Sequence, residues 1–187
     1  MHHTLRLYSR YRERALRYYL WQAQWTKIPV IGPLVRGVAN LYGRTSHAGY
    51  LLTPAEAKAL VRLSPGLFLG PCSCRETFHR CGHPLRAEVM LAAHENPFVS
   101  SRPERYAPLT VAEAERVLDD CHAQGLIPAV IKCREDFYAI CNCCPCACVP
   151  LRLKNEFGIG QALQRHPDIV GEFTAWLAGH ARAEAPA

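Results

Sequence analysis

The residues of this sequence with the widest range of chemistry are its cysteines. The chain has 187 residues and 10 cysteines, and five of the cysteines lie between Cys141 and Cys148. An earlier group comprises Cys72, Cys74 and Cys81. Thiolates bind zinc or iron, form disulfides and act as nucleophiles. The spacing of the cysteines and the cellular compartment therefore have to distinguish among these chemistries.

The N-terminal sequence argues against a disulfide framework. It has no apolar h-region and no small-residue cleavage site, so we expect the chain to stay in the cytoplasm. Disulfides are rare in that reducing compartment. Crowded cysteines also provide poor geometry for several disulfides at once, because each bond needs a defined separation of two Cα atoms. Metal binding is the leading interpretation, and a thiol-redox or disulfide role is the alternative.

The spacing of the late cysteines favours iron over zinc. Two Cys-x2-Cys pairs of the kind that bind zinc are present between Cys141 and Cys146, but they overlap and compete. His79 and His83 lie beside the earlier group, and zinc could also use their imidazoles as ligands. Several irons accept dense spacing better, because each thiolate binds a separate iron. We predict an iron–sulfur site and keep zinc as an alternative. The predicted ligands are Cys72, Cys74, Cys81, Cys141, Cys143, Cys144, Cys146 and Cys148.

Both cysteine groups carry a resemblance to a known family. The stretch from Ile140 to Cys148, after a Thr-x-x-Glu-capped helix and a strand, resembles a late Ile-Cys-Asn-Cys-Cys motif of ferredoxin-like 4Fe–4S proteins from bacteria and archaea. The earlier Cys-x-Cys-Arg of that family matches Cys72 to Arg75. The resemblance covers residues 68–153 and implies one or two 4Fe–4S clusters and one-electron transfer with a redox partner protein. Ala147 and Pro128 stand where that family often has a cysteine and a histidine.

The absence of several enzyme motifs argues against the corresponding enzyme classes, and two alternative functions remain. The sequence has no bacterial ferredoxin cysteine run, phosphate loop, His-Glu-x-x-His or Gly-x-Ser-x-Gly. One alternative is an enzyme in which an open cluster iron binds substrate beside His79, His83 or Arg75. The other is a zinc-stabilised binding or regulatory module that uses the helix over 111–124 and the hairpin after it.

Five cations and two further cysteines are open to simpler interpretations. Cys121 lies on the apolar side of its helix and is expected to fill the core. Cys133, in the predicted hairpin turn, is either a bystander or an accessory ligand. Cations near thiolates would offset the negative charge of a cluster, but they would equally suit a solvated surface. These cations are Arg75, Lys132, Arg134, Arg152 and Lys154.

The periodicity predicts a small α+β domain that is mainly helical. One β-hairpin, formed by Leu126 to Lys132 and Phe137 to Cys141, leads into the cysteine-rich metal-binding loop. Capping boxes start helices at Thr53 and Thr110. Further helices are predicted over 5–26, 85–93, 155–165 and 168–182, with turns and short helical pieces over 28–52. We divide the chain into a basic aromatic helical arm, 1–52, and an iron–sulfur domain, 53–187.

The basic charge is concentrated in the arm. Residues 1–27 hold six basic side chains and one acidic side chain, Glu13. Tyrosines and tryptophans are predicted on one side of the amphipathic helix, with Arg6, Arg10 and Arg14 on the other. The helix would pack on the domain with a solvated arginine face or dock on an anionic membrane surface or a partner. Nucleic acid is the least favoured partner, and no apolar run is long enough to span a membrane.

Overall fold

The fold combines helices with a single seven-stranded sheet. The computed structural model describes residues 3–183. Within that range the helices are α1 His3–Ala23, α2 Gly32–Thr45, α3 Pro54–Leu63, α4 Ser73–Phe78, α5 Pro97–Ser101, α6 Val111–Ala123, α7 Val149–Phe157 and α8 Ile169–Ala183. The strands are β1 His47–Leu51, β2 Gly66–Pro71, β3 Arg86–Ala92, β4 Ala107–Pro108, β5 Ile127–Cys133, β6 Asp136–Cys143 and β7 Gln164–Arg165. The prediction of a mixed helix-and-strand fold is confirmed.

The sheet is larger than the single hairpin that the sequence predicts. Its strand order is β4-β2-β3-β6-β5-β1-β7, and only the β1–β7 pair is parallel. The predicted hairpin is present as β5 and β6, joined by a tight turn in which Arg134 has a φ of 53°. The segment predicted as a helix over 85–93 is strand β3 instead. Its alanines, glutamate, methionine and leucine favour helix, but burial on both faces of the sheet overrides that local preference.

Helices cover both faces of the sheet. On one face, α3, α6 and α8 contribute Leu60, Leu118 and Phe173 to a core that includes Val89 and Ile140. On the other face, α1, α5 and α7 pack over the neighbouring strand positions, because successive strand residues point to opposite sides. That second core includes Leu5, Phe98, Met90, Ala139, Cys143 and Leu151.

Local signals place three helices correctly and misplace the ends of another. Capping boxes start α3 at Thr53 and α6 at Thr110, as predicted, and α8 also lies where a helix is expected. The helix predicted over 155–165 instead begins at Val149 and ends at Phe157. It ends there because Gly158 adopts a left-handed conformation with a φ of 70°.

The N-terminal helix buries a different side from the one predicted. Its buried residues are Leu5, Ser9, Arg12, Leu16, Leu20 and Ala23, whereas Tyr11, Tyr18 and Trp21 are exposed. The predicted aromatic side is thus divided: Tyr8 and Tyr19 pack against the core, whereas Tyr11 and Tyr18 lie outside it. The predicted arm, residues 1–52, also contains strand β1, which pairs with β5 and β7. The division of the chain into an arm and a domain at residue 52 remains a prediction. Strand β1, from the arm side of that boundary, lies in the same sheet as the other strands.

The helices of residues 3–183 do not include one with the length and apolar character needed to cross a bilayer.

A prediction on stability concerns Glu56, which closes the capping box of α3. Hydrogen bonds from Arg165 and Thr53 lower its pKa to about 2. Glu56→Gln is expected to lower the free energy of unfolding by about 1 kcal/mol at neutral pH. A carboxyl with a lowered folded-state pKa stabilises fully above its unfolded pKa, about 4.3, and loses that stabilisation as the pH falls. Urea unfolding at pH 7 and pH 3 should show the difference shrinking, and the exposed Glu104→Gln control should show no such trend.

Candidate metal centre

The topology brings the two cysteine groups to one edge of the sheet. Strands β2 and β6 are both antiparallel to β3, so they run in the same direction and end at the same edge. Cys72 follows β2 directly and precedes α4, while Cys143 is the last residue of β6. Cys148 then precedes α7. The convergence of the two groups follows from these strand directions, although they are far apart in sequence.

Three thiols form a compact outer group: Cys81, Cys144 and Cys146. Their sulfur atoms all lie within 4.8 Å of one another, and the Sγ atoms of Cys81 and Cys144 are 3.7 Å apart. Cys144 is buried, and the other two are partly exposed. Such a set suits a metal ion or one side of a cluster. Among residues 3–183, no histidine, carboxylate or fourth cysteine completes this group at the same spacing.

Arg75 holds the outer group in place from the core side. Its guanidinium donates hydrogen bonds to the carbonyl oxygens of Pro84 and Asn142, each at 2.5 Å. Burial raises the pKa of Cys144, but contacts with Cys146 and Arg75 outweigh that effect and lower it to about 7. A thiol with such a pKa is readily deprotonated, which is the form that binds metal.

Five thiols form an inner group: Cys72, Cys74, Cys141, Cys143 and Cys148. All five, together with Cys144 of the outer group, line a cavity of about 760 Å³ whose other lining residues come largely from α1 and α2. The thiol of Cys148 contacts those of Cys74 and Cys143. The backbone N–H of Val149 points to Cys74 Sγ at 3.5 Å. Backbone donors of this kind stabilise thiolates and tune the potential of iron–sulfur clusters.

A buried ion pair borders the inner group. Arg12 of α1 and Glu88 of β3 are only 5% and 1% exposed. Their two hydrogen bonds, from the guanidinium to the carboxylate, measure 2.9 Å and 2.5 Å. The thiol of Cys141 donates to the same carboxylate at 3.2 Å. Sequence reasoning missed this pair, and the one available signal was a carboxylate in the middle of the apolar segment that forms β3.

The strand alternation predicted for β6 only partly separates the two groups, because Cys144, which follows β6, also lines the cavity of the inner thiols. Cys141 and Cys143 belong to the core under α1, whereas Cys144 packs with Cys121 and Leu126 on the side of α6. Cys121 is buried among apolar residues there, as expected of a core residue. Cys133 is also buried, at the end of β5 rather than in the turn, and the outer group includes neither His79 nor His83.

Of the five flanking cations, one contacts a thiol and two pair with carboxylates elsewhere. Arg75 contacts Cys144. Lys132 pairs with Glu172 at 2.5 Å, and Arg152 pairs with Glu156 at 2.8 Å. Among these cations Arg75 is the one placed beside a thiol. Arg12, which sequence reasoning did not single out, borders the inner group, but its charge is already balanced by Glu88.

The fold and the site together define a mixed helix-and-sheet protein with two thiol groups at one sheet edge. No protein family model matches the chain, and comparisons with curated proteins and with solved structures found no match. All ten cysteines are free. The functional argument therefore rests on the geometry of the two groups.

Proposed function

We propose that this protein binds one or two 4Fe–4S clusters and exchanges single electrons with a partner protein. The observation that carries the proposal is the gathering of eight thiols into two groups at one edge of the sheet. The outer group would hold metal through Cys81, Cys144 and Cys146, whose sulfur atoms have the mutual spacing of a metal site. Among the described residues no three inner thiols share that spacing, so a second cluster on the inner group would require these thiols to move closer together. A bound 4Fe–4S cluster supplies a site that accepts and releases one electron.

The chain's own residues suit this cofactor in charge and in solvent exclusion. Thiolate-bound clusters are negatively charged, and the guanidinium group of Arg75 contacts Cys144 of the outer group. Beside the inner group, the Arg12–Glu88 pair is neutral overall. The inner thiols line a cavity whose remaining lining, largely from α1 and α2, is mainly apolar. The protein would therefore orient the thiolates, offset the cluster charge and limit access of water.

The outer group also supports a second candidate function. Three thiols leave one corner of a 4Fe–4S cluster without a cysteine ligand, as in an enzyme whose open iron binds substrate. Three thiols with an added ligand would equally suit zinc, in a structural binding module. Metal and sulfide analysis separates these candidates.

The test is anaerobic purification followed by iron, acid-labile sulfide and zinc analysis of one sample. We expect a brown protein with about four iron and four sulfide for each cluster. About eight of each would support two clusters and an electron relay, and about four would favour the enzyme candidate. Stoichiometric zinc without sulfide would contradict the iron–sulfur proposal and favour the structural module.

We further propose that the face formed by α1 and α2 contacts an anionic membrane surface. Val30 and Leu34 are 91% and 70% exposed, and Trp21 and Trp25 are exposed nearby on the chain. Residues 14–52 contain five basic residues and no acidic ones. Val30 also has a φ of 72°, which is rare for a β-branched residue and typical of strained functional segments. Exposed aromatic and aliphatic residues with basic neighbours favour the headgroup region of a bilayer.

Vesicle co-sedimentation tests this contact. Val30→Asp is expected to reduce binding to anionic vesicles roughly fivefold, because it adds a repelled charge and removes an apolar contact. Aspartate tolerates the left-handed backbone, so the fold should be unaffected. The matched control is Val111→Asp, at a partly exposed position of α6. Equal binding of both variants, or equal binding to neutral and anionic vesicles, would contradict the contact.

A further inference from the structure

The outer thiols are placed for a reaction besides metal binding. The Sγ atoms of Cys81 and Cys144 are 3.7 Å apart, which is contact distance for two sulfur atoms. Both thiols are free. A disulfide has an S–S length of about 2.04 Å, so forming one here requires an approach of only about 1.7 Å. A small local movement is therefore enough to join this pair covalently.

The segment that carries Cys81 has room for that movement. Residues 79–85 connect α4 to β3 without forming a helix or a strand. A Cβ atom on Gly82, the next residue, would meet nothing within 4 Å apart from its chain neighbours, so open space lies beside the chain there. Cys144 is held more firmly, because it is buried and contacts Arg75. We therefore expect Cys81 to approach Cys144 rather than the reverse.

Solvent exposure and chain geometry favour this pair over the others. Cys81 is partly exposed, whereas three of the five inner thiols are buried. Oxidation of thiols by small polar oxidants follows exposure, so Cys81 should react before those thiols. Cys146 is also partly exposed, but Pro145 separates it from Cys144. The rigid proline ring restricts the backbone rotation that would close a bond between those two cysteines.

We propose that Cys81 and Cys144 form a reversible disulfide when the outer group holds no metal, with a hydroperoxide as the oxidant. The hydroperoxide first oxidises the Cys81 thiol to a sulfenic acid and is itself reduced to an alcohol, or to water if it is hydrogen peroxide. The Sγ atom of Cys144 then attacks the sulfenic sulfur. The S–S bond forms, and the sulfenic hydroxyl leaves as water with the thiol proton of Cys144. A dithiol reverses the reaction by thiol–disulfide exchange.

The disulfide and a bound metal exclude each other at the outer group. The bond takes two of the three sulfur atoms that lie within 4.8 Å of one another. Metal binds the thiolate form, which a sulfur atom in a disulfide no longer has. Oxidation therefore prevents the outer group from taking up metal until a reductant restores the thiols. The same exclusion applies to an iron–sulfur cluster and to zinc, so this inference does not depend on the proposed function.

The test is disulfide mapping by mass spectrometry on the full chain, after treatment with a chelator and then with equimolar hydrogen peroxide. We expect the Cys81–Cys144 bond to be the main product and dithiothreitol to remove it. Cys81→Ser should lower the amount of disulfide at Cys144 about tenfold. The matched control is Cys146→Ser, in the same group, which should leave that amount within about twofold of the wild type. The oxidised chain should also take up about one Zn²⁺ ion fewer than the reduced chain.

The outcomes separate this inference from the proposed function. A main product that links Cys81 to Cys146, or that joins two inner thiols, would overturn the assignment of the pair. Sulfinic acid at Cys81 without a disulfide would also overturn it, since Cys144 would then not reach the sulfenic sulfur. Equal Zn²⁺ uptake by the oxidised and reduced chains would contradict the exclusion of metal. Iron, sulfide and zinc analysis of the untreated protein decides the iron–sulfur proposal independently of the disulfide map.

Discussion

Replacing Arg12 with methionine is expected to lower the free energy of unfolding by about 3–5 kcal/mol. The guanidinium is the ion-pair partner of a carboxylate, Glu88, that is almost completely buried in the central part of the sheet. Removing the cation leaves that carboxylate desolvated and unpaired. It also removes the polar link between α1 and β3. Denaturant unfolding of the purified chain measures the effect directly.

Two further variants show whether the ion pair is responsible. Arg10→Met makes the same change at an exposed position of the same helix and should alter stability by less than about 0.5 kcal/mol. Adding Glu88→Leu to Arg12→Met should recover much of the loss, because an apolar pair avoids the desolvation of both charges. An Arg12→Met protein as stable as the Arg10→Met protein would show that the ion pair does not anchor α1.

The second large effect is expected from single cysteine substitutions in the two thiol groups. Cys146→Ala and Cys74→Ala should each remove about half of the bound iron, if each group holds its own cluster. The double variant should lose nearly all of it. The reason is geometric: the three outer thiols lie within 4.8 Å of one another, whereas Cys74 belongs to the set lining the cavity. Iron and sulfide analysis and visible absorbance provide the measurements.

Cys133→Ala is the matched control for these substitutions. Cys133 is buried like most of the thiols, but it pairs with Asp136 at the opposite end of the hairpin from Cys143. The Cys133→Ala protein should retain the full iron content of the wild type. Loss of all iron from either single variant would show that the two groups share one cluster. Full retention in both would contradict their assignment as ligands.

Part of this protein was determined by short-range features of the sequence. The capping boxes at Thr53 and Thr110 specify helix starts, because a hydroxyl and a carboxylate three residues apart satisfy the free N–H groups of the first turn. The β5–β6 hairpin follows from two β-type runs joined by a short polar turn. The crowding of the cysteines predicts metal binding from local sequence in the same way.

The tertiary structure decided the features that depend on distant partners. Strand β3 forms from helix-favouring residues because both faces of the central sheet bury it. In the sequence, Arg12 is one of several arginines on a basic helix. Its burial in an ion pair depends on the position of Glu88, which is distant in sequence. The grouping of three predicted ligands within 4.8 Å of one another, and of six along one cavity with Cys144 common to both sets, depends on where β2 and β6 end. Local patterns specify backbone conformation, whereas burial, ion pairing and the grouping of thiols arise only when segments far apart in sequence meet.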